Sequence, residues 1–196
     1  MSSLKSTVIS PDLMRMLAAQ FCLDSRSVHG AAHWMRVRKN GLLLAELTVA
    51  NTTVVELFAV FHDSCRVSDH NDPDHGSRGA DLAEKFFYHH KLIDCTHNEL
   101  ETLVVACRGH TVTHTHRDIT VATCWDADRL DLPRCGITVD PLRLATAKAR
   151  HFKIISEAEQ RAISWFNRLI DLDCEFNDDW ELSSSRVVSS AKTEFL

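Results

Sequence analysis

The chain has 196 residues, of which 44% are hydrophobic and 25% charged, so its composition is that of a globular protein and excludes disorder throughout. A net charge of -5 argues against a protein that mainly binds nucleic-acid backbones, and no apolar run approaches the ~18 residues of a membrane span. Residues 1–7 lack the apolar core of a secretory signal. Seven cysteines without a Cys-x-x-Cys pair are typical of reduced thiols, so we expect a cytoplasmic protein.

Apolar residues recur at helical spacing along the chain, and only 6 glycines and 4 prolines interrupt them, which favours helices over short strands. Ser10 and Pro11 predict the first helix start, because serine caps a helix and proline fits its first position. In chain order, helices are predicted over about 10–21, 29–48, 52–64, 76–89, 98–108, 119–131 and 156–170, with a further start at Asp140-Pro141 and irregular connections over 68–74 and 111–118. The sequence predicts an all-α protein.

A histidine and an aspartate, His62-Asp63, directly follow the apolar run 54–61. These polar groups are costly inside an apolar element unless something pairs with them. Further histidines and an aspartate lie near predicted helix ends or on inward faces, as in metal sites of helical bundles. The candidate ligands of a divalent metal are His33, His62, Asp63, His75, His110 and Asp128.

Three of these positions have rivals close by in the sequence: His29 for His33, His114 or His116 for His110, and Asp126 for Asp128. His29 would share the predicted helical face of His33, since the two are four residues apart. Asp126 and Asp128 are two residues apart and point to different faces of a helix. Only one of the two aspartates is therefore expected to ligate directly.

Five ordered fragments resemble the HD-domain superfamily of metal-dependent phosphohydrolases, which are all-helical. The fragments are His33-Trp34-Met35-Arg36-Val37, Phe61-His62-Asp63, His75-Gly76-Ser77-Arg78-Gly79-Ala80, Gly109-His110-Thr111 and Asp126-Ala127-Asp128-Arg129-Leu130-Asp131. The last is similar to a signature of many small bacterial members. The resemblance implies one helical bundle of HD-domain type. Its parts would be an N-terminal helix packing on the domain (1–24), the metal-binding helical domain (25–172) and a polar C-terminal tail (173–196).

The resemblance also implies roles for the candidate ligands. The first metal would be bound by His33, His62, Asp63 and Asp128, and the second by His75 and His110 together with Asp63 as the bridging ligand. The interval between Asp63 and His75 is shorter than in some two-metal members. The sequence therefore implies one or two divalent ions, with iron, manganese, zinc, nickel, cobalt and magnesium as candidates.

The implied activity is hydrolysis of a nucleotide or another small phosphorylated metabolite by metal-activated water. Asp63 would be catalytic, and Arg66 and Arg78 would stabilise the phosphate by paired hydrogen bonds. Arg129 adjoins the last ligand, with Asp126 and Asp131 as alternative partners.

Two other functions stay open from the sequence. Some relatives use the same ligands for a di-iron centre that activates oxygen, and a non-catalytic sensor would bind metal and nucleotide without turnover. We expect a small-molecule substrate, no nucleic acid or membrane partner, and a monomer or homodimer.

Overall fold

The computed structural model describes residues 8–24 and 27–170, without the side chains of 165–170. All regular structure in these ranges is helical, which confirms the predicted all-α class. The α-helices are α1 (Pro11–Gln20), α2 (Ala31–Thr48), α3 (Thr52–Phe61), α4 (His75–Lys85), α5 (His97–Gly109), α6 (Ile119–Arg129) and α7 (Phe152–Ile170). A π-helical turn (Phe86–His90) follows α4, and two 3-10 turns (Leu132–Cys135 and Pro141–Arg143) lie between α6 and α7.

Side-chain caps fix where several helices begin. The Ser10 side chain accepts a hydrogen bond from the Leu13 N–H at 3.1 Å, and Pro11 occupies the first helical position, so the predicted start of α1 is confirmed. Thr96 and Glu99 form a reciprocal capping box at the start of α5. These caps supply partners for main-chain N–H groups that a helix cannot satisfy by itself.

The core is built around α3, which packs against α1, α2, α4, α5 and α6. Residues 54–61 of this helix are all buried, as expected for a helix that is apolar on every side. Trp34 of α2, Trp125 of α6 and the α3 residues Phe58 and Phe61 are at most 2% exposed. The polar pair His62-Asp63 directly follows the end of α3 at Phe61 and is buried like the helix itself. No helix in the described ranges has the length and apolarity that a membrane span needs.

Two glycines let α4 approach its neighbours at main-chain distance. A Cβ at Gly79 would overlap the carbonyl oxygen of Phe61 and lie 3.2 Å from that of His62. A Cβ at Gly76 would overlap the Cys107 carbonyl oxygen and lie 2.9 Å from the Cε1 atom of His110. The first turn of α4 is therefore held against the ends of both α3 and α5.

The helix predicted from Asp140-Pro141 is wrong in extent. Asp140 does cap a turn, accepting a hydrogen bond from the Leu142 N–H at 2.9 Å, but the turn ends at Arg143. The next main-chain N–H groups, of Ala145 and Thr146, donate to the buried Asp126 carboxylate at 2.6 and 2.8 Å. This tertiary contact replaces helix continuation, and α7 begins at Phe152 rather than near 156. The predicted tail, 173–196, lies outside the described residues.

Candidate metal centre

The structure brings the six predicted ligands together at the buried ends of five helices. The described residues contain three groups whose possible ligand atoms lie within 4.8 Å of one another, and two of these groups consist of predicted ligands alone, while the other joins His29 to His33 and Asp63. The first group contains His33, His62 and Asp128, and the second contains Asp63, His75 and His110.

His33 and His62 point their Nε2 atoms at each other across 3.0 Å. The Nδ1 atom of His62 lies 3.0 Å from the Phe58 carbonyl oxygen, which can only accept, so Nδ1 carries the proton. The Nδ1 atom of His33 donates in the same way to the Asp131 carboxylate at 2.7 Å. Both Nε2 lone pairs therefore face one another, and a proton or a metal cation must lie between them.

His75 and His110 repeat this arrangement, with their Nε2 atoms 2.9 Å apart. The Nδ1 atom of His110 donates to the Cys107 carbonyl oxygen at 2.7 Å, and that of His75 donates to the Asp72 carbonyl oxygen. Both rings again present a lone pair to the same point. The centre thus contains two positions that require a positive species.

Asp63 lies between the two histidine pairs. Its Oδ2 atom is 3.5 Å from Nε2 of His33 and 3.7 Å from Nε2 of His62. Its Oδ1 atom is 3.1 Å from Nε2 of His75 and 3.8 Å from Nε2 of His110. One carboxylate therefore offers a separate oxygen to each position, which is the arrangement of a bridging ligand.

Asp128 belongs to the first pair, with Oδ1 3.4 Å from Nε2 of His33 and 3.7 Å from Nε2 of His62. Burial would raise the pKa of the Asp63 and Asp128 carboxyls, but the histidines around them hold both pKa values well below the usual range. Burial lowers the pKa of His62. Burial also acts to lower the pKa of His33, yet three hydrogen-bonded carboxylates raise it to about 9. Without a metal, one proton on His33 therefore occupies the space between the rings.

The donor atoms fit a transition-metal ion. Imidazole nitrogen together with carboxylate oxygen suits iron, manganese, zinc, nickel or cobalt, whereas magnesium prefers oxygen ligands alone. Each ligand histidine already donates its second nitrogen to a carbonyl or carboxylate, as metal-bound histidines commonly do. These buried groups can hold divalent metal, and the metal's identity stays a prediction.

The two predicted phosphate-binding arginines have different surroundings. Arg66 is buried, with Nε 3.4 Å from Oδ1 of Asp63. Arg78 binds both carboxylate oxygens of Asp72 at 2.7 Å and donates from Nε to the Cys65 carbonyl oxygen at 3.1 Å. The guanidinium of Arg78 therefore holds the loop 68–74 in place, while that of Arg66 lies against the centre.

Arg129 uses neither of the carboxylates considered from the sequence as its hydrogen-bond partner. It donates to the main-chain carbonyl oxygens of His110, Thr113 and His114, and its guanidinium carbon lies 5.9 Å from the centre of the Trp125 ring. These contacts connect α6 to the irregular segment after α5. Arg129 therefore holds the main chain of His110 and of the segment that follows it.

The structure distinguishes Asp128 and His110 from their neighbouring alternatives, whereas His29 and His33 both lie at the centre. Asp126 is fully buried and engaged with the main chain at residues 145–146, while Asp128 joins the first group. His114 and His116 are exposed, whereas His110 is buried and belongs to the group formed with Asp63 and His75. His29 reaches the centre as well as His33, because α2 begins at Ala31 and His29 lies in the turn before it.

Asp131 is a functional candidate that the sequence did not single out. It is fully buried and accepts hydrogen bonds from Nδ1 of His33 and from Nε of Arg36, both at 2.7 Å. Its spacing offered a signal, since residues three apart on a helix are neighbours and Asp131 follows Asp128 by three. Asp131 fixes the ring orientation of a predicted ligand.

A cavity of about 330 Å³, lined by both polar and apolar surface, opens beside the centre. Two of its lining residues, Arg66 and His75, contact Asp63 directly. The remaining lining residues are His70, Asn71, Asp72, Pro73, Thr111 and Val112. Of the second histidine pair, His75 lines this cavity.

Comparison with solved structures identifies the fold. The crystal structure of a predicted HD superfamily hydrolase from an uncultured Thermotogales bacterium matches 81% of this chain and 90% of its own, with a TM-score of 0.57 and 18% sequence identity. No protein-family model and no curated protein matches the chain. Similarity at this identity concerns the fold, and the hydrolase description belongs to that protein. The chain therefore has the fold of the HD superfamily, as its motifs implied.

Proposed function

We propose that this chain is a metal-dependent phosphohydrolase acting on a nucleotide or another small phosphorylated metabolite. The observation that carries the proposal is the pair of positions defined by opposed Nε2 atoms, with Asp63 between them. Sites with two neighbouring cations are used for displacement at phosphorus, because they balance the charge of both the attacking and the departing oxygens. The cavity beside the centre, which Arg66 and His75 line, would admit such a substrate.

Bound divalent cations would supply Lewis-acid chemistry and lower the pKa of a bound water molecule to ~7. The chain itself contributes fixed ligand orientations, because each ligand histidine is held through Nδ1. Arg66 lines the cavity and lies beside Asp63, so we assign it the paired hydrogen bonds to a substrate phosphate. Arg78 was the second predicted candidate, and its contact with Asp72 suits a role in ordering the mouth of the cavity.

The volume of the cavity supports a small substrate. A space of about 330 Å³ lies at the lower end of the range for small-molecule sites, which is roughly 300–1,000 Å³. We therefore propose a free phosphorylated metabolite rather than a polymer. A cytoplasmic location and a monomeric or homodimeric state are part of the same proposal.

The first test is the metal content of protein purified without chelator, by elemental analysis, for wild type and His62→Ala. Wild type should contain up to two transition-metal ions per chain, and the variant should lose the ion of the first pair. His89→Ala is the matched control, since His89 is exposed and lies outside the groups of candidate ligands. If wild type takes up no metal after incubation with manganese, iron or zinc, the proposal is wrong.

Activity is then measured on a panel of nucleotides and sugar phosphates with each metal. Release of inorganic phosphate by wild type, abolished in His62→Ala and Asp63→Ala, would support the hydrolase. Oxygen consumption with an iron-loaded sample would instead indicate the oxygenase. Tight nucleotide binding without product would indicate a sensor.

A further inference from the structure

His29 lies in a buried turn whose main chain is fixed on both sides. Its carbonyl oxygen accepts a hydrogen bond from Nε1 of Trp34 at 2.8 Å, and its N–H donates to Oγ of Ser27 at 3.1 Å. The Ser27 hydroxyl in turn donates to the Asp69 carboxylate at 2.5 Å. The main chain of His29 is therefore fixed within this turn.

Both ring nitrogens of His29 have partners. Nδ1 lies 2.8 Å from Oδ2 of Asp63, and Nε2 lies 3.5 Å from Nη1 of Arg66. A carboxylate oxygen accepts, so Nδ1 of His29 donates to Asp63 across the short contact of 2.8 Å, and Nη2 of Arg134 lies farther from the same nitrogen, at 3.4 Å. The Arg66 guanidinium can only donate, so it faces the lone pair on Nε2. With both nitrogens engaged, His29 differs from the ligand histidines, whose Nε2 atoms face another Nε2 atom.

The bond from His29 limits how the Asp63 carboxylate can turn. Rotation about its terminal bond would exchange or tilt the two oxygens, each of which faces a different histidine pair. His29 holds Oδ2, the oxygen 3.5 Å from Nε2 of His33. Arg66 approaches the other oxygen, Oδ1, from Nε at 3.4 Å. Together, the two contacts hold the carboxylate in the orientation in which each oxygen faces a different histidine pair.

We propose that His29 is a positioning residue that fixes the Asp63 carboxylate through Nδ1, so that the two oxygens face separate cation positions. Its importance for turnover rests on the proposed function, whereas its effect on metal binding can be measured without any substrate. Partners that orient a ligand typically contribute about 10- to 100-fold in metal affinity or activity.

The test compares His29→Ala, His29→Asn and His29→Gln. The amide nitrogen of asparagine falls near the place of Nδ1, so His29→Asn retains the donor to Asp63. The amide of glutamine reaches the place of Nε2, so His29→Gln retains a polar side chain without that donor. Metal affinity is measured by titrating each metal-free protein with Co²⁺, followed by visible absorption and by competition with a chelator. Thermal unfolding of the metal-free proteins reports whether each variant is folded.

We expect about 10- to 100-fold weaker Co²⁺ binding in His29→Ala and His29→Gln, and near-wild-type affinity and spectrum in His29→Asn. The comparison of asparagine with glutamine holds even if the alanine variant fails to fold. Wild-type affinity in His29→Gln would overturn the proposal. Equal losses in the asparagine and glutamine variants would also overturn it, since they would indicate that His29 is itself a ligand. If wild type binds Co²⁺ but hydrolyses no phosphate ester, the proposed function fails while the role of His29 stands.

Discussion

Gly79→Ala adds one methyl group where α4 crosses the end of α3, and it changes no candidate ligand. The new Cβ would overlap the Phe61 carbonyl oxygen and lie 3.2 Å from the His62 carbonyl oxygen. Both obstacles are main-chain atoms, so no side-chain rotation can relieve the overlap. Either α4 moves away from α3 or the end of α3 is deformed.

The expected effect on stability is the difference between two opposing contributions. Alanine is favoured over glycine inside a helix by about 1 kcal/mol. Overpacking against a rigid core costs about 1–3 kcal/mol, and the main-chain obstacle places this site at the upper end. The net loss should be about 1–2 kcal/mol, which lowers the unfolding temperature by a few degrees in a chain of this size. Because α4 carries His75, a displacement of about 1 Å should also reduce activity by up to about 100-fold.

Thermal unfolding of Gly79→Ala measures the loss of stability, and phosphate release together with metal titration measures the effect of displacing His75. Ser77→Ala is the matched control, because Ser77 is exposed on the same helix and its replacement changes helix propensity alone, by about 0.5 kcal/mol. A Gly79→Ala protein that is as stable as Ser77→Ala and binds two metals with wild-type affinity would refute the close packing of α4 on α3.

Two further predictions follow from the buried carboxylates and from His33. Asp131→Asn keeps the size of the side chain but removes the charge that holds the His33 ring, so metal affinity should fall by about 10- to 100-fold in a chelator competition. Asp126→Asn, an equally buried change away from the ligands, should reduce stability and leave affinity unchanged; equal losses of affinity would refute the assignment. In metal-free protein, the pKa of His33 is raised from 6.5 to about 9, so protonation of His33 stabilises the fold fully below pH 6.5. This stabilisation is lost as the pH rises through 9, so unfolding temperature should fall between these values more steeply in wild type than in His33→Ala; equal slopes would contradict it.

The sequence predicts those parts of the fold that local interactions determine. The start of α1 follows from Ser10 and Pro11, whose capping acts within one turn. The same signal at Asp140 and Pro141 produces only a short turn. Asp126 of α6 accepts hydrogen bonds from the N–H groups of Ala145 and Thr146, which would otherwise continue the helix. Helix starts are thus readable from sequence, whereas helix length depends on tertiary contacts.

The candidate site, too, could be predicted from the sequence only in part, because some of its contacts depend on tertiary structure. The ordered histidines and aspartates indicate which residue types meet, and the structure brings them together in overlapping groups that also include His29. The partner of Arg78 could not be predicted, because it depends on how the loop containing Asp72 folds back. His29 was weighed as an alternative to His33, yet both reach the centre, since the turn before α2 places Nδ1 of His29 2.8 Å from Oδ2 of Asp63, the oxygen that also faces His33.

The burial of α3 has a consequence for the exchange of main-chain hydrogens with solvent. Residues 54–64 are all buried, so the segment that carries His62 and Asp63 cannot open without disrupting the core. Such segments open only in global unfolding, whereas segments with exposed main chain open locally. His75 follows the largely exposed loop 68–74. The main-chain N–H groups of His62 and Asp63 should therefore exchange with solvent on the timescale of global unfolding, while those of the loop 68–74 should exchange during the life of the folded protein.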